Sequence, residues 1–405
     1  EFSSGAFKQQ RSSDTVEIAD KISMFDLIIK NGTGKLVRPN GEELLTVQNI
    51  SMEASDVDVN EILDGSELIF MDNLTINGSG LKWSIEKKLY QFTIGEFNFD
   101  KNAEYVSLAQ VALTPVVEKY RFSEILARQI DRIDLNIPQV EISGFQLDSL
   151  AAQQLEIDEV SISGATMEIF RDKHKERPPG YNEKPLLHEL ATATDFSFGL
   201  NTVTITDTDI TYEEHKPPAE ESGSISFNNI NAEINNFRTA SHPEFYQDSL
   251  TLDINAMFMN VAPLTLDIGY AVFDDQNSHT VGVQLENLDP KEVGDMLGNV
   301  AFVEIESGMI ESLHANYELN STVSSGKVLF LYSDLKISFL NKENPDKRGF
   351  KQWAGDFIAN TFVIKTKNGG DEPRIGIISF PRDGEKSIFA YWWKSLLDGI
   401  KTVIK

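Results

Sequence analysis

Hydrophobic and polar residues alternate along most of this chain, and between Asp131 and Ile169 one alternating phrase occurs twice. VEISGFQL spaces Val140, Ile142, Phe145 and Leu147, and VSISGATMEI spaces Val160, Ile162, Met167 and Ile169. A period of two is that of a strand with one buried face. Across Gly144 and Gly164 the apolar positions slip from even to odd numbers. Such a slip turns every later side chain to the other face unless the strand bulges, and glycine tolerates a bulge. The phrase therefore predicts bent strands that keep one apolar face. Looser copies run through Leu74, Ile76, Gly78, Gly80, Leu81 and Trp83, through Val203, Ile205, Ile210 and Tyr212, and through Val303, Ile305, Gly308, Ile310 and Leu313. Their irregular spacing predicts a diverged array and not a fixed-period solenoid.

Taken in order, the polar residues Glu1 to Asp14 read as linker, and 1–20 is set aside as a junction. Short alternating runs from Phe25 to Asn102, punctuated by Asn31, Gly32, Pro39, Asn40 and Gly41, predict an antiparallel meander. Phe122, Ile125, Leu126 and Ile130 then fall at helical spacing, with Ser123 as N-cap. A short helix is also expected around Leu186 to Ala193, and another from Asp289 through Leu297 with Pro290 in its first turn. Leu250 to Leu285 carries the cleanest alternation, three successive strands. The expected body is continuous over 21–345, with subdivision near 114–130 and 240, and 346–405 forms a helix-containing cap. In that cap Phe350, Trp353, Phe357 and Ile358 share one helical face, and Phe389, Trp392, Trp393, Leu396, Ile400 and Val403 recur at spacings of three and four. Lys394, Asp398 and Lys401 interrupt the second run, which makes it an amphipathic surface helix, packed on its own sheet or serving as a membrane or partner contact. The fold class is mainly β, an elongated, curved antiparallel sheet forming a trough, with few short helices.

Charge narrows the partners. The chain has 63 acidic and 36 basic residues, a net charge of −27, which repels phosphate backbones and argues against nucleic acid. There is no cysteine, so thiolate metal sites and Cys nucleophiles are excluded, and an exported protein without bridges is favoured. No run of about 18 apolar residues occurs. Asp56, Asp58, Asn60 and Glu67 fit four positions of a calcium loop, but its required Gly is replaced by Glu61, so solvated carboxylates are the better reading. The six histidines, His174, His188, His215, His242, His279 and His314, lack metal-helix spacing. Ser79 in NGSGL lacks the spacing of a nucleophile elbow. Acidic residues are numerous enough that a glycosidase-type pair is not excluded by sequence, but no catalytic residue, metal or cofactor is assigned and a non-enzymatic protein is expected.

The chain from Thr75 onward resembles the AsmA-like family of Gram-negative envelope proteins. The likeness is carried by Phe122 with the Asp131–Arg132 pair and IDLNIPQVEISGFQL, by Ile169, Phe170, Arg171 and Asp172 before a Pro-rich loop, and by Ile210, Tyr212 and Glu213 followed by SGSISFNNINAEINN. SGKVLFLYSDLKISFL and SIFAYWWKSLLDGIKTVI add to it. The resemblance implies a periplasmic body, an N-terminal inner-membrane anchor upstream of this chain, and an apolar trough for phospholipid transport or outer-membrane assembly. The expected lining is Val140, Ile142, Phe145, Leu147, Val160, Ile162, Met167 and Ile169, with Phe389, Trp392, Trp393, Leu396 and Ile400 as membrane or partner contacts. The alternative is a periplasmic scaffold that binds envelope proteins through an exposed edge, with the same apolar residues forming a closed core.

Overall fold

In the computed structural model the described residues are 24–58, 72–85, 89–145, 153–180, 183–239, 249–339 and 364–405. The linker 1–20, Leu147, the Asn60, Glu61 and Glu67 part of the calcium-like run, His242, and the Phe350–Ile358 helix expectation lie outside them. The protein is mainly β, with one large mixed sheet of 16 strands. The strands are β1 (Met24–Val37), β2 (Glu43–Asp58), β3 (Asp72–Ile85), β4 (Tyr90–Asp100), β5 (Tyr105–Pro115), β6 (Arg132–Phe145), β7 (Gln154–Ser163) and β8 (Thr166–Asp172). They continue with β9 (Ser197–His215), β10 (Gly223–Arg238), β11 (Leu250–Phe258), β12 (Ala262–Tyr270), β13 (His279–Leu288), β14 (Val303–Leu319), β15 (Val323–Phe339) and β16 (Ile375–Pro381). Chain neighbours are sheet neighbours except that β7 is followed in the sheet by β9. β8 leaves this path and runs parallel to β9.

That parallel pair corrects two expectations. The sheet is mixed and not wholly antiparallel, and the second copy of the phrase is not one bent strand. It breaks at Gly164 (φ +68°), whose N–H donates to Thr206 O at 3.0 Å, so β7 ends before it and β8 starts after it. In the first copy Gly144 (φ +68°) stays inside β6 and donates to Glu104 O at 2.9 Å, as a bulge should.

The slip seen at those glycines is general, and its positions line up from strand to strand. β1 and β2 each gain one residue between the pairs Ile29↔Met52 and Gly34↔Val47. β2 and β3 do the same between Met52↔Ile76 and Thr46↔Lys82. In β4 and β5 the ladder skips Gly95 and Gln110, between Ile94↔Val111 and Glu96↔Ala109. Asn31, Asn49, Gly80 and Gln110 mark this line with φ values of +54°, +52°, +61° and +56°. A second line passes through Asp207 (φ +49°) in β9 and Asn229 (φ +49°) in β10. Amides freed by the bulges are satisfied locally, as buried or half-buried donors must be. Asp209 Oδ1 accepts from Asn229 N at 2.9 Å, and Asn231 Oδ1 accepts from Asp207 N at 3.4 Å. The side-chain outcome is direct in β10, where Phe227 and Ile230, on either side of Asn229, join one apolar cluster with Ile205 and Ile210.

The chain divides into two compact units, 1–116 with 136–163, and 117–135 with 164–405. The second carries helices α1 (Lys119–Leu126), α2 (Leu187–Thr192), α3 (Gly294–Met296) and α4 (Ile388–Ile404). Helix α1 starts four residues earlier than its proposed cap. Ser123 is buried inside it with its Oγ 3.4 Å from Lys119 O, and Glu118 takes the N-cap position. The turn before α3 opens as expected, with Asp289 Oδ1 accepting from Lys291 N at 2.9 Å and Pro290 next to it.

Candidate functional site

In the first unit the directly paired residues Leu36, Leu45, Trp83, Phe92 and Leu113 form one row across β1 to β5. Opposed residues point to the same side of a sheet, so this is a continuous apolar band. On the other side of the slip line a second band runs Ile29, Met52, Ile76, Phe99 and Val106, and Phe99 stacks on Phe145 at 5.8 Å. One extra residue per strand keeps both bands on one face. Among the described residues this unit has no helix to cover them. Leu36 remains 57% exposed and Trp83 45%.

The expected lining residues divide. Val140 opposes Ile162, and Ile142 opposes Val160, so these four share a face of the β6–β7 pair. Phe145 opposes Ile157 and is buried, as is Val140, while Ile142, Val160 and Ile162 are half-buried. Met167 and Ile169 belong to the second unit, where they pair with Ile210 and Tyr212 in parallel register. The Leu36 to Leu113 band was not singled out from sequence, although aligning the strands on their parity slips would have assembled it.

In the second unit the corresponding kind of surface is covered. α4 packs Tyr391, Leu396, Val403 and Ile404 into a core with Leu313, Ala315, Tyr317, Val328, Phe330, Tyr332 and Ile378. Glycine allows this approach: a Cβ on Gly399 would lie 2.6 Å from Ile378 Cγ1 and 2.7 Å from Val328 Cγ1. Polar contacts fix the helix in place. Trp392 Nε1 donates to His279 Nε2 at 3.0 Å, Tyr391 Oη donates to Asn320 O at 3.2 Å, and Ser324 Oγ donates to Ser395 Oγ at 2.7 Å. Of the five expected contact residues, Leu396 is buried and Trp392 and Ile400 pack against this core, whereas Phe389 is 71% and Trp393 54% exposed.

Carboxylates do converge elsewhere in this unit, at the ends of β8 and β9. Each has a partner. Arg171 Nε donates to Asp131 at 2.6 Å, Lys119 and Ser222 donate to Glu213, Tyr212 donates to Glu214 at 2.8 Å, and His174 Nδ1 lies 2.9 Å from Asp172. Burial opposes ionisation of Glu213, but Lys119 and Ser222 outweigh it and hold its carboxyl below the usual range. Burial and then Glu214 push the Tyr212 phenol far up. His215 Nε2 donates to Ala219 O at 3.0 Å, leaving Nδ1 for the Tyr120 hydroxyl at 2.8 Å. This arrangement ties α1 to the parallel β8–β9 pair. Among the described residues no group of three or more His, Asp or Glu is arranged to hold a metal.

Two concavities of about 350 and 320 Å³ lie elsewhere, one lined by Ser249, His279, Thr280 and Glu318, the other by Asn49, Asn77, Glu96 and Asn98. Each mixes polar with apolar lining, Leu319 and Val323 in the first and Phe97 in the second, whereas the bands of the first unit, buried only at Met52, leave Ile29, Leu36 and Trp83 exposed and are the surface that most needs a partner. Compared with known proteins, the chain matches no family model and no curated protein.

Proposed function

We propose that the first unit binds the acyl chains of phospholipid along its apolar bands, the sheet curling there into a trough, and that the protein works without catalysis in the periplasm in lipid transport or outer-membrane assembly. The observation that carries this reading is the contrast between two faces of like composition, one sealed by α4 and one bearing Leu36 and Trp83 in the open. Bulges add local twist and bend, and the first unit carries them in register across five strands, which favours curling. Burial contributes about 0.8 kcal/mol per methylene, so ten carbons laid on the bands would gain on the order of 8 kcal/mol before ordering costs. The periplasmic setting, the inner-membrane anchor and the AsmA-like affiliation rest on the sequence resemblance alone.

The test is purification without detergent, solvent extraction and mass spectrometry of the extract. At least one phospholipid per chain is expected, and Trp83→Asp should release it while the circular dichroism spectrum holds, because Trp83 is half in solvent. A stable, lipid-free wild-type protein would overturn the reading. The scaffold alternative is favoured by one observation, the edge at β1, where Ile28, Leu36 and Val37 are exposed and, among the described residues, the strand pairs with β2 alone. A lipid-free protein that captured an extended peptide on β1 would support it.

A further inference from the structure

Helix α4 has a second, outward surface that packing does not explain. Phe389 and Trp393 stand one turn apart and exposed, Phe389 touching Trp392 edge to face at 5.4 Å, on a helix whose other aromatic residues pack into the core. The aromatic pair lies in a local reversal of charge. Residues 364–405 contain eight basic and five acidic side chains, whereas the remaining 363 residues contain 28 basic and 58 acidic ones. α4 and the residue after it carry three lysines, Lys394, Lys401 and Lys405, against one carboxylate, Asp398, whose Oδ2 accepts from Ser379 N at 3.0 Å. The loop before α2 is fastened beside the start of α4, with Lys184 N donating to Gly384 O at 2.8 Å and Arg382 Nη2 donating to Lys184 O at 2.6 Å. The cations there crowd one another: the Lys386 ammonium is pulled below its ordinary pKa first by burial, then by Arg177 and Lys394, with Asp383 and Glu385 opposing. Its nearest carboxylate, Asp383, is 4.0 Å away.

We propose that the first half of α4 is a docking surface for an anionic phospholipid bilayer, with Phe389 and Trp393 entering the headgroup layer and Lys386, Lys394 and Arg177 meeting lipid phosphates. Bulky aromatic residues favour the interface between headgroup and acyl chain, and flanking lysines reach to phosphate while their stems stay on apolar surface. An acidic protein would satisfy the lysines but leave the aromatic pair without its preferred environment. The rest of the molecule, being strongly acidic, is repelled by the same bilayer, which orients this surface toward it. The inference does not depend on the acyl-chain reading of the first unit.

The experiment is co-sedimentation of the full chain with vesicles of phosphatidylcholine containing 30% phosphatidylglycerol, against pure phosphatidylcholine, at low and high salt. Strong binding to the anionic vesicles is expected, weakened by salt. Phe389→Ser with Trp393→Ser should reduce it at least ten-fold with an unchanged melting temperature, and Lys394→Glu should reduce it by roughly ten-fold. Equal binding to both vesicles, no binding, or binding unaffected by the aromatic double variant overturns the proposal. Loss of vesicle binding in Trp83→Asp but not in the α4 variants would assign capture to the first unit and overturn this inference alone. Retention of extracted lipid by the α4 double variant keeps the two readings separate.

Discussion

His279 is kept neutral by two partners whose roles are fixed. The indole N–H of Trp392 can only donate to Nε2, and the carbonyl of Asn277 can only accept from Nδ1, at 2.8 Å. The ring is 3% exposed and stacks on Tyr270 at 4.6 Å. Burial therefore lowers its pKa from 6.5 to about 4. Between those values the unfolded chain binds more protons than the folded one, so acid favours unfolding. The contribution is fully present above about pH 6.5 and is lost as pH falls toward 4. At pH 5 it should already have cost about 2 kcal/mol. His279→Gln keeps one donor and one acceptor without a titration. The difference between its urea stability and that of wild type should therefore shift by that amount between pH 7 and pH 5, read by tryptophan fluorescence. Asn229 makes a different kind of demand, on backbone alone. A β-branched residue is disfavoured at φ +49°, so Asn229→Val should destabilise by about 1–3 kcal/mol while Asn229→Gly costs much less, as thermal melts would show.

At the scale of elements, β16 shows how an outer strand is kept from pairing with strangers. Its outward amides are taken by side chains of α4: Ile377 N donates to Thr402 Oγ1 at 2.9 Å and Ser379 N to Asp398 Oδ2 at 3.0 Å. The helix thus seals an edge as well as a core, which gives Asp398 and Thr402 a role on it. Replacing both, Thr402→Val with Asp398→Ala, leaves two unpaired donors beside the exposed Ile375 and Ile377. The expected result is about 1 kcal/mol less stability for each donor and concentration-dependent association. Unchanged mass from 5 to 200 μM by light scattering would count against this role. The helix itself was visible in the sequence because Trp392, Leu396, Ile400 and Val403 recur at helical spacing; its duty at the edge was not, since hydrogen bonds to an amide leave no periodicity.

Across the whole molecule, the alternation from Leu250 to Leu285 maps onto β11, β12 and β13 because regular strands pair there residue for residue. Legibility fell wherever a strand carried its own correction. Gly144 advertised its bulge, but Asn31 made one through a side chain common in turns and read as punctuation, and Asn49 and Asn229 gave no parity signal of their own. The parallel seating of β8 was hidden because a seven-residue strand looks alike in either direction. The apolar bands of the first unit were legible as residues but not as bands, since their assembly depends on register between strands. That register has its own safeguard. In a uniform sheet a strand can slide by two residues and still present the right face, so the hydrophobic pattern alone does not select one alignment. Here each strand from β1 to β5 carries an out-of-step residue on one shared line, and on that line the surplus residues of neighbours sit side by side. A slide of two would set a surplus against a regular stretch and misalign every pair beyond it. The rows act as registration marks, telling each arriving strand where along its neighbour to stop.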